Sequence, residues 1–99
     1  MRPSIYEHAL INNIITTEDG EYVSILEWIE QKINTNPYKE VTVDIVYMKK
    51  ILGPDFENKS DEAIRTSLRN TLKKFDIDLR TALINDGNVK MTMRLIPYY

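Results

Sequence analysis

The chain has 99 residues, no cysteine, 28% charged residues and a formal net charge of −2. That length holds one domain and leaves no room for a second core, and the absence of cysteine excludes disulfides and thiolate metal sites. No segment offers the run of about 20 apolar residues that a bilayer span needs, and Met1-Arg2-Pro3-Ser4 lacks the apolar stretch of a secretory signal, so a cytoplasmic protein is expected.

Ser4 is placed to cap a first helix running to about Ile15, with Leu10, Ile11, Ile14 and Ile15 gathered on one side. Residues 16–20, Thr-Thr-Glu-Asp-Gly, read as a turn. A second helix is expected from about Tyr22 to Ile33, because Tyr22, Ile25, Leu26, Ile29 and Ile33 recur at helical spacing. Asn34-Thr35-Asn36-Pro37 stops it. Glu40-Val41 reads as a short strand, followed by a third helix capped by Thr42, with Asp44 in its first turn and Ile45, Met48, Ile51 and Leu52 buried. Gly53-Pro54 ends that helix, and Phe56 in the following loop is expected to anchor in the core.

Ser60 caps the most strongly patterned helix. Asp61 and Glu62 occupy its first turn and Lys73 and Lys74 its last, both matching the helix dipole. Ile64, Leu68, Leu72 and Phe75 form its apolar face; Thr66, Arg69, Asn70 and Lys73 lie opposite, flanked by Arg65 and Lys74. A hairpin then turns at Asn85-Asp86-Gly87. A three-residue loop pairs Ile84 with Asn88, Leu83 with Val89, Thr81 with Met91 and Leu79 with Met93, which gathers the apolar side chains on one face. A two-residue loop would mix them with Lys and Arg, so burial selects the longer loop. The same register sets Asp78 opposite Arg94, a favourable pair.

Charge is unevenly distributed. Residues 1–40 carry three Lys/Arg against seven Asp/Glu, whereas residues 64–94 carry seven against three. Such a split suggests one face built for an anionic partner.

Thr42–Leu52, Ser60–Phe75 and Leu79–Ile96 follow one another as scaffold helix, recognition helix and wing do in winged helix-turn-helix proteins, and residues 63–72, Ala-Ile-Arg-Thr-Ser-Leu-Arg-Asn-Thr-Leu, resemble their recognition helices. The resemblance covers about residues 22–96. It implies an α+β, mainly helical domain over 1–99: a winged helix-turn-helix with an extra N-terminal helix (1–16) and a C-terminal β-hairpin wing. Two departures stand out. The segment Gly53–Lys59 is longer than a tight helix-turn-helix turn, and no glycine follows the recognition helix, since Phe75-Asp76-Ile77 runs straight on. The resemblance implies a DNA-binding transcriptional regulator, associated with the nucleoid, whose helix 61–75 enters the major groove of double-stranded DNA. Arg65, Thr66, Arg69 and Asn70 would read base edges, while Lys73, Lys74, Arg80, Lys90 and Arg94 would meet phosphates. Extra N-terminal helices in similar proteins often mediate dimerisation, so Leu10, Ile11, Ile14 and Ile15 are expected to join a homodimer.

An alternative is a winged-helix protein-interaction or assembly module that does not touch nucleic acid, which the acidic first forty residues favour. Arg65 and Arg69 could instead pair with Asp61 or Glu62 along the helix. No enzyme is expected. His8 is the single histidine, no metal-ligand cluster or glycine-rich phosphate loop is present, and neither a cofactor nor a small-molecule substrate is evident.

Overall fold

The computed structural model describes residues 4–83 and 88–96, and of Leu83 the backbone alone. Ser4 caps helix α1 (Ile5–Asn12), its hydroxyl accepting from the Glu7 N–H at 3.1 Å. The helix stops three residues earlier than expected. The β-branched run Ile14-Ile15-Thr16 forms strand β1 (Ile14–Thr16), which pairs with β2 (Tyr22–Ser24) across a turn closed by Gly20 at φ +84°. Asn13 makes the junction: its side-chain amide donates to the Leu52 carbonyl at 2.6 Å, and its own carbonyl accepts from the Ile25 N–H.

The second helix, α2 (Ile25–Thr35), also differs from expectation. Tyr22 and Val23 belong to β2, and Ser24 is the cap, accepting from the Glu27 N–H at 3.1 Å. Strand β3 (Glu40–Asp44) is longer than its expected two residues and takes in Thr42. Asp44, not Thr42, is the N-cap of α3 (Ile45–Leu52), because the alternation of Val41, Thr42 and Val43 suits a half-buried strand. Gly53, at φ +114°, ends α3 in a conformation that side-chain-bearing residues rarely adopt. A single 3₁₀ turn, Pro54–Phe56, then drives Phe56 into the core, edge-on to Tyr6 with ring centroids 5.0 Å apart.

Helix α4 (Asp61–Lys73) starts at Ser60 as expected, with the hydroxyl accepting from the Ala63 N–H. It buries Ile64, Leu68, Thr71 and Leu72. Where a glycine was missed after this helix, Asp76 itself takes a left-handed φ of 60° and redirects the chain into β4 (Ile77–Leu83). Strands β4 and β5 (Val89–Leu95) pair in the expected register, with Leu79 opposite Met93, Thr81 opposite Met91 and Leu83 opposite Val89. The loop Asn85-Asp86-Gly87 lies outside the described residues, as does Ile84, the expected partner of Asn88.

The result is an α+β domain whose three-stranded antiparallel sheet runs in the order β3-β5-β4. Its inner face (Val43, Ile77, Leu79, Met91, Met93) meets Ile29 and Ile33 of α2, Met48 of α3 and Leu68 of α4 in one core. Helix α4 lies along β4, and α2 along β3 and β5. No described helix is long and apolar enough to cross a membrane.

This fold changes the expected apolar stripe of the first helix. Leu10 is fully buried in its own domain, Ile15 packs on the core from β1, and only Ile11 and Ile14 remain open, at 45% and 57% exposure. The four residues therefore do not form one helical face.

Candidate nucleic-acid interface

Helix α4 turns about 100° per residue, so its buried stripe fixes where the rest must point. Directly opposite the core lie Thr66, Asn70 and Lys73, all exposed, with Glu62 and Ala63 beside them. Lys74 stands on the α1 flank, its ammonium 3.9 Å from the Glu7 carboxylate.

Arg65 and Arg69 occupy the other flank, beside β4. Arg69 Nε donates to the Leu79 carbonyl at 3.3 Å, and Arg65 Nη1 reaches the Thr81 hydroxyl at 3.5 Å. The sheet geometry explains the first contact. The Ile96 N–H donates to the Asp76 carbonyl, so Asp76, Asp78 and Arg80 face β5 with their backbone groups. Leu79 and Thr81 then turn theirs to the free edge of β4, where the Arg69 guanidinium covers one of them. Arg65 Nε is buried without a hydrogen-bond partner among the described residues. These two arginines thus lie against the sheet edge instead of projecting with Thr66 and Asn70.

The hairpin cations are on the outer sheet face, away from the core and from α4. That face is a lattice of paired charges. Glu40, Arg94 and Asp78 are in register across the three strands, as are Asp44, Lys90 and Ala82. Arg94 binds Glu40 at 3.1 Å, Lys90 lies 3.9 Å from Asp44, and Arg80 binds Asp78 at 3.1 Å. Between them the Thr42 and Thr92 hydroxyls share a hydrogen bond of 3.0 Å. Asp78 does lie opposite Arg94 as expected, yet the guanidinium takes the carboxylate of the third strand. Arg80, Lys90 and Arg94 therefore share a surface with three carboxylates and do not join the helix cations on one continuous patch.

One buttress of α4 was not anticipated. Lys49, in the last turn of α3, reaches Asp61 in the first turn of α4 at 2.7 Å, and the lysine side chain is largely covered. This contact ties the last turn of α3 to the first turn of α4 across the long Gly53–Lys59 segment. The dipoles of both helix ends favour it.

Among the described residues, no group of three or more His, Asp or Glu side chains is placed to hold a metal ion. His8 lies exposed on α1, where the Asn12 amide meets its ring nitrogen at 3.1 Å. No protein-family model matches the chain, and no curated protein is detectably similar to it.

Proposed function

We propose that the chain is a winged helix-turn-helix domain that binds double-stranded DNA through α4 and acts as a transcriptional regulator inside the cell. The observation that carries this reading is the order α2, β3, α3, α4, β4, β5 with the sheet arranged β3-β5-β4, which leaves the side of α4 bearing Thr66, Asn70 and Lys73 open along its length. Asn70 suits adenine and Thr66 a base edge or thymine methyl. Lys73 and Lys74 supply phosphate contacts at the C-terminal end of the helix. Arg69 can swing from the Leu79 carbonyl to a phosphate, exchanging one hydrogen bond for another. Arg65, Arg80, Lys90 and Arg94 take no part in base reading. We extend the reading to a homodimer whose subunits meet through Ile11 and Ile14.

A mobility-shift titration with random duplex at two salt concentrations tests it. With Arg69, Lys73 and Lys74 as the phosphate contacts, the logarithm of affinity falls with the logarithm of salt at a slope of about −3 per domain. Absence of binding at low salt refutes the reading. A second reading, a winged-helix module that binds protein alone, is favoured by one specific observation: Lys74, Arg80, Lys90 and Arg94 each have a carboxylate within 4.0 Å.

A further inference from the structure

The two edges of the three-stranded sheet are treated differently. At the β4 edge, Arg69 occupies the Leu79 carbonyl. At the β3 edge no side chain does the same among the described residues. Register shows which groups are open there. Leu79 turns its backbone away from β5, so Met93, its partner, turns its own toward β3 and is the hydrogen-bonded partner of Val41. Val41 and Val43 thus bond inward. Glu40 and Thr42 turn N–H and C=O outward, and Asp44 adds its N–H, its carbonyl being committed to the first turn of α3.

Beside this edge runs an open groove of about 500 Å³ between β3 and α2, lined by Trp28, Lys32, Val41, Val43 and Tyr47. Trp28 and Tyr47 face one another with ring centroids 6.2 Å apart. Neither ring is fully covered, and Tyr47 is 44% exposed. An unpaired strand edge next to an aromatic groove has the two parts that strand addition uses: main-chain groups for affinity and pockets for alternate side chains.

Charge decides the occupant. A second copy adding its own β3 antiparallel about Thr42 would set Glu40 opposite Asp44 of the other subunit, twice, and like charges directly opposite repel. A strand with cations at those positions instead continues the alternation of charge across the sheet, flanking Glu40 and Asp44 on the side away from Arg94 and Lys90. We propose that the β3 edge takes an extended segment of a partner protein as a fourth strand, with Lys or Arg at the first and fifth positions of a five-residue stretch and apolar side chains at the second and fourth. The cations lie on the outer face beside Glu40 and Asp44. The apolar pair enters the groove against Trp28 and Tyr47. This surface is at the opposite sheet edge from α4, so it can be filled whether or not α4 binds DNA.

Trp28 is the chain's single tryptophan and reports directly on the groove. The probes are blocked nonapeptides with the centres Lys-Val-Thr-Val-Lys, Glu-Val-Thr-Val-Glu and Lys-Val-Pro-Val-Lys, titrated against the full chain. The first is expected to change Trp28 emission saturably below about 1 mM, and the other two to bind about tenfold more weakly. The proline peptide fails because it lacks the central N–H that pairs with Thr42. Glu40→Lys is expected to remove the preference for the basic peptide over the acidic one, since each then meets one like and one opposite charge at positions 40 and 44, and Glu40→Gln, which is gentler on folding, narrows the gap. Amide shifts of Thr42 on adding the first peptide locate the contact. No saturable response of the parent chain to any peptide, or its equal affinity for the acidic and basic ones, overturns the proposal. So does a peptide-free dimer that Glu40→Lys tightens, which would put a second copy on the edge. Failure of the duplex titration above leaves these outcomes unaffected.

Discussion

Arg65 and Arg69 are both basic residues of α4, and the structure makes them opposite in energetic sign. Arg69 Nε satisfies an edge carbonyl at 3.3 Å, while Arg65 Nε is buried without a partner among the described residues and its Nη1 contact with Thr81 is 3.5 Å, at the limit of useful geometry. Replacing each by methionine keeps most of the apolar stem and removes the guanidinium. For Arg65→Met the gain is relief of a buried unpaired N–H, a penalty of about 1–3 kcal/mol. Against it stand a marginal hydrogen bond and weak attraction to the first-turn carboxylates, about 0.3–0.5 kcal/mol. A net stabilisation of about 1 kcal/mol is expected. Arg69→Met forfeits a hydrogen bond from a charged donor in a half-open site and is expected to cost about 1 kcal/mol. Urea melts followed by circular dichroism, with an m-value of about 1.5 kcal/mol/M, should then separate the two midpoints by more than about 1 M. If Arg65→Met proves the more destabilising of the two, the assignment of these side chains to the β4 edge is wrong.

Three further expectations follow from the packing and the exposed residues. Leu68→Ala opens a cavity where α4 meets the sheet and should cost about 2–5 kcal/mol in the same melts; a loss under 1 kcal/mol would show that α4 is not seated on the core. Breaking the Lys49–Asp61 contact with Lys49→Met should lower stability by about 1 kcal/mol or less, since Asp61 remains half-exposed, and it should also weaken duplex binding because α3 no longer braces α4; unchanged binding would refute the bracing role. Sedimentation of an Ile11→Lys, Ile14→Lys variant should give the monomer mass where the parent gives a dimer, and an unaltered mass would end the proposed dimer contact.

Local signals in this chain were readable and non-local ones were not. Ser60 to Lys73 combines a cap, first-turn acids, a last-turn base and an uninterrupted apolar stripe, all within reach along the helix. The hairpin register followed from which slip would bury Lys and Arg. The starts of α1 and α2 carry a shared signature, Ser4 with Glu7 and Ser24 with Glu27, a capping-box spacing that marks Ser24 more firmly than Tyr22. The helical spacing of Ile11, Ile14 and Ile15 competed with the strand preference of Ile14-Ile15-Thr16, and pairing with β2 decided the outcome. Thr42 likewise offered a cap or a strand position, and the partner that settled it, Thr92, lies 50 residues away. The same distance hid the fate of the hairpin cations: Arg94 is neutralised by Glu40 only because β3 joins β5. Periodicity put Arg65 on a flank of the helix but Arg69 on its outer face with Thr66, Asn70 and Lys73; that β4 would draw Arg69 to its edge depends on the left-handed turn at Asp76, which no glycine announced.

If the chain binds DNA as proposed, the open side of α4, and not the outer face of the hairpin, is the contact surface. Parallel mobility-shift titrations at low salt of the parent, an Asn70→Ala, Lys73→Ala variant and an Arg80→Ala, Arg94→Ala variant address it directly. The first variant should lose about tenfold or more in affinity, from one lost base contact and one lost phosphate contact, while the second should stay within about threefold of the parent. The reverse ranking, with the sheet variant crippled and the helix variant unimpaired, would contradict it.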